Sequence, residues 1–385
     1  MAYISRNMEG AIVDASRFYS VIIITGPRQS GKSTLVKHIF ANYHYLSLED
    51  PDIRSLAQRD PRSLLGIAEK MIIDEAQRMP ELFSYIQTIV DGNPTRKFVL
   101  TGSANFLMLK NVSQSLAGRA AVFELLPFAM SELKEELLSE NIDKQLINGF
   151  YPALREKKMS PRLYYKNYVT TYLERDVRTL SEIKNLDVFQ RFIRLCAGRI
   201  GSVFVASELS NELGVSVGTI NSWLSVLQAS YIVYMLKPFY TNANKRLVKS
   251  RKIYFHDTGL AAYLLGITSA KQLNTDRMRG HLFENMIVSE AIKKFYNKGE
   301  DANLYFYRDS NGVEIDLMVQ RGSKYDCFEI KSAATYHPDF EKSIISVTHA
   351  LPSIINSGAV IYSGETTVLE KDIKLLNLSN FAESF

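Results

Sequence analysis

The 385-residue chain predicts an α/β architecture in two or three domains. Three observations point there. The β-branched run Val21–Thr25 leads into a glycine-bearing turn and then a helical pattern. A second apolar run, Met71, Ile72 and Ile73, ends in Asp74 and Glu75. Near the other end, runs at 313–317 and 327–331 alternate strictly, with acids and a lysine on one face. Hydrophobic residues at 46% and charged residues at 23% are ordinary for a globular chain. No uncharged apolar run approaches the roughly 20 residues of a membrane span, and residues 1–6 lack the apolar core of a secretory signal. Cys196 and Cys327 are the two cysteines. So few and so far apart, they fit a reducing cytoplasm with buried thiols and exclude a disulfide framework. No cysteine or histidine spacing suggests zinc. The net charge of +5 permits nucleic-acid binding without arguing for it.

Gly26-Pro27-Arg28-Gln29-Ser30-Gly31-Lys32-Ser33 fits G-x-x-x-x-G-K-[ST], the phosphate-binding loop of nucleotide triphosphatases. The preceding strand and the helix that begins at Thr34 are the context it requires. Its glycines let backbone N–H groups wrap phosphates, Lys32 adds a point charge, and the Ser33 hydroxyl suits Mg²⁺. Some forty residues on, Asp74 is placed to hold Mg²⁺ and Glu75 to polarise the attacking water as a general base. Ligands in open α/β sheets sit at that carboxyl edge. A third strand, Phe98-Val99-Leu100, ends in Thr101–Asn105, where Ser103 and Asn105 are γ-phosphate sensor candidates; a plain turn is the alternative.

A last strand of this sheet is expected at 121–125. From Ser131 to Arg199 the pattern is mainly helical, with one helix face at 168/169, 172/173 and 177. Arg119 is a candidate finger reaching a neighbouring copy's γ-phosphate, and Arg175 a lid residue reaching the chain's own nucleotide. For each, a surface salt bridge is the alternative. Residues 200–256 predict a winged helix-turn-helix: a helix at 206–213, a turn at Gly214, and a second helix with Val217, Ile220, Leu224 and Leu227 on one face. Strands at 231–236 and 253–255 complete it. The second helix carries no Arg or Lys, so it is poorly equipped to read bases. The basic residues lie in the wing, at Lys237, Lys245, Arg246, Lys249, Arg251 and Lys252, where they suit phosphate contact. A module for protein contacts is the alternative.

At the C-terminal end, Glu314 and Asp316 share one strand face, Glu329 and Lys331 share another, and Gln320–Lys324 reads as the connecting loop. Two carboxylates with a backbone oxygen suit Mg²⁺ or Mn²⁺, and Lys331 is placed to orient or activate water beside the metal. This is the D…E-x-K arrangement of restriction-type nucleases; an amphipathic hairpin with surface charges is the alternative. Glu284, in a helix starting near His281, adds a further carboxylate.

Taken whole, the chain resembles the bacterial and archaeal AAA-type ATPases that end in a PD-(D/E)xK-like domain of unknown function. The stretches that carry the resemblance are Gly26–Thr34, Ile73–Gln77, Leu100–Ser103, Ser115–Arg119, Tyr172–Asp176, Lys245–Lys249, Tyr254–Leu260, Phe283–Asn285, Glu314–Asp316 and Glu329–Lys331. It implies ATP binding and a nuclease-like fold, and no particular substrate. The full reading is an α/β P-loop NTPase domain of AAA (ASCE) type with a helical lid over residues 1–180. A helical and winged-helix domain follows over 181–268, then an α/β restriction-endonuclease-like domain over 269–385. The expected ligands are ATP with Mg²⁺, with Mn²⁺ admissible at the C-terminal site. The expected partners are DNA and a further copy of the chain, with no membrane. Two functions fit: an ATPase controlling a metal-dependent nuclease, or an ATP-driven switch whose C-terminal domain only binds nucleic acid or protein. His256 and Asp257 look chemical, with capping of the helix from Thr258 as the plainer role for Asp257.

Overall fold

The computed structural model describes residues 3–103, 115–133, 140–157, 159–173, 186–240, 251–370 and 372–383. Helix α1 (Glu9–Phe18) precedes β1 (Val21–Thr25), which is followed by α2 (Lys32–Ile39), β2 (His44–Ser47), α3 (Pro51–Arg59) and α4 (Pro61–Gly66). Then come β3 (Lys70–Asp74), α5 (Leu82–Gly92), β4 (Lys97–Thr101) and β5 (Ala120–Glu124). All five strands are parallel, in the order β2-β3-β4-β1-β5. A parallel sheet needs crossovers on its faces and buries its central strands on both sides. Accordingly Val21 and Ile23 join one core with Phe83 and Ile86 of α5, while Ile22 and Ile24 join another with Ile12, Leu35 and Val36. Because β4 lies between β1 and β3, the ends of the phosphate-loop strand, the acid strand and Thr101 sit side by side.

Helices α6 (Ile142–Asn148), α7 (Pro152–Lys157) and α8 (Pro161–Tyr168) follow, then a π-turn at Val169–Leu173. The helix expected around 168–177 therefore begins as a π-turn, and its remainder, with Arg175, lies outside the described residues. After α9 (Leu186–Ala197) comes α10 (Ala206–Leu213), Gly214 in the left-handed region at φ 67, and α11 (Val217–Ala229), capped by Ser216. The buried face of α11 is Ile220, Trp223, Val226 and Leu227, not the expected 217/220/224/227. Val217 occupies the first turn and is 43% exposed, while Trp223 stacks edge-on against Phe189 of α9. Strands β6 (Val233–Pro238) and β7 (Lys252–Phe255) pair antiparallel. Of the wing's basic residues, Lys245, Arg246 and Lys249 lie outside the described residues.

The remaining elements are α12 (Thr258–Leu264), α13 (Ala270–Asn274), α14 (Arg279–Asn297), β8 (Leu304–Arg308), β9 (Glu314–Arg321) and β10 (Lys324–Lys331). They end with α15 (Lys342–Ala350), β11 (Ile355–Tyr362), β12 (Ile373–Leu376) and α16 (Leu378–Glu383). The loop expected at 320–324 is tighter: Arg321 pairs with Lys324, leaving a two-residue turn opened by Gly322 at φ 63. Seven strands form one mixed sheet in the order β12-β11-β10-β9-β8-β6-β7. The β6–β7 hairpin joins it through Lys237 opposite Tyr305 and Pro238 opposite Phe306. The boundary expected at 268/269 thus falls between strands of one sheet, and one continuous core runs from Leu126 to Phe381. Both cysteines are buried and unpaired. Among the described residues no helix is long and apolar enough to cross a membrane.

Candidate active sites

The phosphate loop is built by backbone conformations that glycine supplies. Gly26 has φ 145, and a Cβ there would lie 2.2 Å from the Leu125 carbonyl oxygen, so the β1–β5 seam closes only over glycine. Gly31, at φ 96, turns the chain into α2. Lys32 is buried and folds back over the loop, its Nζ donating to the carbonyls of Gly26 at 3.0 Å and Pro27 at 2.7 Å. The Ser33 hydroxyl donates to Asp74 Oδ2 at 2.8 Å, and Tyr45 donates to the same oxygen at 2.7 Å. Asp74 Oδ1 accepts from Thr101 Oγ1 and from the Glu75 N–H at 3.2 Å. The Asp74 carboxylate is thereby locked in place by four donors, Ser33 of α2, Tyr45 of β2, Thr101 of β4 and the Glu75 N–H just past β3. Glu75 sits in the left-handed region at φ 56, uncommon for a non-glycine residue, and its Oε2 accepts from Gln77 at 2.6 Å. Gln77 also donates to Ser103 Oγ at 3.2 Å, which places Ser103 one side chain away from Glu75. Asn105 lies outside the described residues.

A cavity of about 750 Å³ opens above the loop. Its floor includes Arg28, Gln29, Gly31, Lys32, Ser33, Thr34 and Glu75, and its roof comes from α7 and α8 with Pro152, Lys157, Tyr164, Asn167 and Tyr168. Sequence reasoning missed Arg6, which also lines it. This guanidinium is 5% exposed and donates to the Ser30 carbonyl at 2.9 Å, the Leu126 carbonyl at 2.7 Å and Glu132 at 3.1 Å. It ties the phosphate loop to the segment after β5. No local pattern announces it, because all its partners are distant in sequence or main-chain atoms. Arg119 does not join this site. It precedes β5, where Ala120 pairs with Val21, so it lies at the opposite sheet edge, roughly 16 Å of strand from Gly26. There it makes a two-point ion pair with Asp91, at 2.5 and 2.9 Å.

The C-terminal residues converge. The Asp316 Oδ2 accepts from the Ile330 N–H at 2.8 Å, and Lys331 Nζ lies 2.5 Å from Glu329 Oε1. Glu329 is buried and its Oε2 has no partner among the described residues. Glu284 on α14 accepts from Tyr254 at 2.6 Å. Lys252 of β7, absent from the expected site, is 3% exposed, paired with Glu314 and 3.6 Å from Glu284. Burial and the nearby Asp316 charge push both Glu284 and Glu329 up to about 7. Burial likewise raises Asp316, partly offset by Lys252 and Lys331. Burial works against both lysines, but the surrounding carboxylates outweigh it and hold each ammonium above its ordinary range. Among the described residues no group of three or more His, Cys, Asp or Glu side chains is gathered to hold a metal ion. A cation here would therefore rest on Asp316 and Glu329 with backbone oxygen. The partnerless Glu329 oxygen and this mutual crowding of carboxylates fit such an ion.

His256 and Asp257 are structural in geometry. Asp257 accepts from the N–H groups of Leu260 at 2.9 Å and Phe150 at 2.7 Å and from Tyr165 at 2.6 Å, so it caps α12 and anchors the α6–α7 turn and α8. Burial, with Lys293, holds His256 down to about 3, a neutral ring in the core.

Comparison with known proteins bears on these sites. An AAA domain family matches residues 19–134, and two domains of unknown function, DUF8612 and DUF4143, match 139–271 and 279–381. The chain is 31% identical over 353 residues to the "Uncharacterized protein Rv2008c" of Mycobacterium tuberculosis, covering 90% of this chain and 77% of that one. The chain belongs to the family of this mycobacterial protein. It is also 21% identical over 344 residues to the "Uncharacterized protein MJ1544" of Methanocaldococcus jannaschii, covering 77% of this chain and 71% of that one. A Walker-type ATPase of Pyrococcus abyssi superposes at a TM-score of 0.46 with 15% identity, over 68% of this chain and 96% of that one, a likeness too slight to carry an argument. With the loop described above, residues 19–134 form an AAA-type P-loop ATPase domain, a family that supports ATP binding.

Proposed function

We propose that the chain hydrolyses ATP at the phosphate loop and couples that turnover to cleavage of DNA at the C-terminal carboxylate cluster. In the nucleotide site, Gly26 to Thr34 wrap the phosphates, Lys32 leaves the carbonyls of Gly26 and Pro27 for the β- and γ-phosphates, and Ser33 with Asp74 holds Mg²⁺. Glu75 takes the proton of the attacking water. Support comes from the four donors that fix Asp74 beside Ser33 and from the cavity that Glu75 lines. Arg119 acts as a finger only across copies of the chain, because its own loop lies at the far sheet edge. Arg175 remains proposed for the lid. We take residues 1–180, 181–268 and 269–385 as the units that carry these roles, with the middle unit a winged helix-turn-helix.

The observation that carries the nuclease reading is the meeting of Asp316, Glu329, Lys331 and Glu284 in one cluster. They come from the succession helix, three antiparallel-paired strands, helix and parallel strand that runs from α14 to β11. Asp316 and Glu329 hold the divalent cation, Lys331 orients water, and Glu284 adds negative charge behind them. When bound, that cation supplies Lewis-acid polarisation of a phosphodiester. The test is an assay on single- and double-stranded DNA in Mg²⁺ and Mn²⁺, with and without ATP. Cutting by the wild type that Asp316→Ala abolishes, with ATP turnover retained, is the expected result. No cutting under any condition, with a flat Mn²⁺ titration, contradicts it. A second reading, an ATP-driven switch with a non-catalytic end domain, is favoured by Lys252, a built-in cation paired with Glu314 and 3.6 Å from Glu284 of the cluster. The basic-free face of α11 points the same way.

A further inference from the structure

The β6–β7 hairpin touches both sites. At one end is Tyr231, two residues before β6, buried and in the left-handed region at φ 55. Its hydroxyl lies 2.6 Å from Thr25 Oγ1 and donates to Glu124 Oε1 at 3.1 Å. Thr25 is the last residue before Gly26, and it stands in register with Glu124 at the ends of β1 and β5. At the other end is Lys252, paired with Glu314 and near Glu284. Val233 pairs with Phe255 and Leu236 with Lys252, so roughly 10 Å of two-stranded ribbon separates these two pairs. The left-handed turn of Tyr231 closes α11, its N–H donating to the Gln228 carbonyl at 3.0 Å and the Ile232 N–H to the Leu227 carbonyl at 2.9 Å, and this fixed turn aims the ring at the ends of β1 and β5.

We propose that this hairpin is a relay between the nucleotide site and the C-terminal cluster, with Tyr231 as the positioning residue at one end and Lys252 at the other. The relay rests on the ATP-binding reading of the loop. Nucleotide entry draws Lys32 away from the carbonyls of Gly26 and Pro27, which frees the loop to shift relative to Thr25. Tyr231 is tied to Thr25 and Glu124, so the ribbon follows. Lys252 then moves against Glu284 and Glu314 and changes the charge presented around Asp316 and Glu329. Coupling of this kind is reciprocal, since each site biases the same two arrangements.

The experiment is hydrogen–deuterium exchange with mass spectrometry on the full chain, in constant Mg²⁺, without nucleotide and with saturating ATPγS. Nucleotide binding is measured separately with a fluorescent ATP analogue. In the wild type, amides of β9 and β10, including the Ile330 N–H held by Asp316, are expected to change their exchange rate at least threefold. Tyr231→Phe keeps the ring and removes the hydroxyl; with nucleotide bound, the change should fall below a third of the wild-type response. Thr25→Val, altered on the other side of the same contact, should do likewise. Lys252→Met should preserve the response of β6 and lose that of β9 and β10, an effect that general loosening of the fold would not produce. If nucleotide binds and β9 and β10 do not respond, or if Tyr231→Phe and Thr25→Val respond as the wild type does, the relay is wrong and the ATPase reading stands. If no nucleotide binds, the ATPase reading falls and the relay falls with it.

Discussion

Asp257 shows how a single carboxylate can look catalytic and serve the fold. Its three acceptor contacts join α12, the α6–α7 turn and α8, and it is 2% exposed. Replacing it by alanine strips a helix cap and leaves the Phe150 N–H without its partner, a loss of about 2–4 kcal/mol. Urea unfolding should show that drop, whereas lost turnover at native stability would make Asp257 a functional residue instead. Glu284 and Glu329 give a different signature, in pH. Their ordinary value is 4.5 and in the fold it is about 7, because burial and Asp316 disfavour the charge. The folded state therefore holds protons that the unfolded state releases. The stabilisation is fully present below about pH 4.5 and is lost as pH rises through about 7. The unfolding temperature should decline between pH 5 and pH 8, less steeply in Glu329→Gln, and Mn²⁺ should reduce the slope by favouring the ionised pair. Identical slopes in the two proteins would contradict this assignment.

At the scale of elements, Arg119 and Asp91 hold the end of α5 to the start of β5. The pair is exposed, so Arg119→Ala should leave the unfolding transition nearly unchanged. If Arg119 serves a neighbouring copy, the variant keeps ATP affinity and loses turnover, and mixing it with Lys32→Ala protein restores activity. A monomer by light scattering with normal turnover would exclude that role. What the sequence made legible here was local. The phosphate loop, the ends of β1 and β3, the helix–glycine–helix segment and the alternation of β9 and β10 are each written in one short contiguous stretch of sequence. The D…E-x-K residues were legible for the same reason, since two strands joined by a tight turn must place their acids side by side. Tyr45 and Thr101 were not, because they reach Asp74 through lateral pairing of β2, β3 and β4. Lys252 was readable only as a wing charge. Its place in the cluster depends on a two-residue ladder between β6 and β8 that no periodicity encodes. The misread face of α11 has a plain cause: Trp223 outweighs Val217, and the helix rotates to bury the larger ring against Phe189 and Phe192.

At the scale of the molecule, a parallel sheet and a mixed sheet are joined by buried polar contacts as well as apolar ones. Lys293 and Glu290 of α14, each 2% exposed, pair with one another and bond the Phe128 carbonyl and the Met130 N–H, in the segment just after β5. Breaking a buried pair of this kind leaves an uncompensated charge, at a cost of about 3–5 kcal/mol. The C-terminal unit is thus fastened to the same stretch that Arg6 ties to the phosphate loop. On the proposed relay, nucleotide state reaches the carboxylate cluster through these contacts without a large domain movement. All of it presupposes that the loop turns over ATP with Asp74 and Glu75 in their assigned roles. The most direct measurement is ATP affinity and steady-state hydrolysis for the wild type, Lys32→Ala and Glu75→Gln in Mg²⁺. The account predicts no binding by Lys32→Ala, and wild-type affinity in Glu75→Gln with hydrolysis slowed about 10²-fold or more. Hydrolysis by Glu75→Gln at the wild-type rate would contradict it.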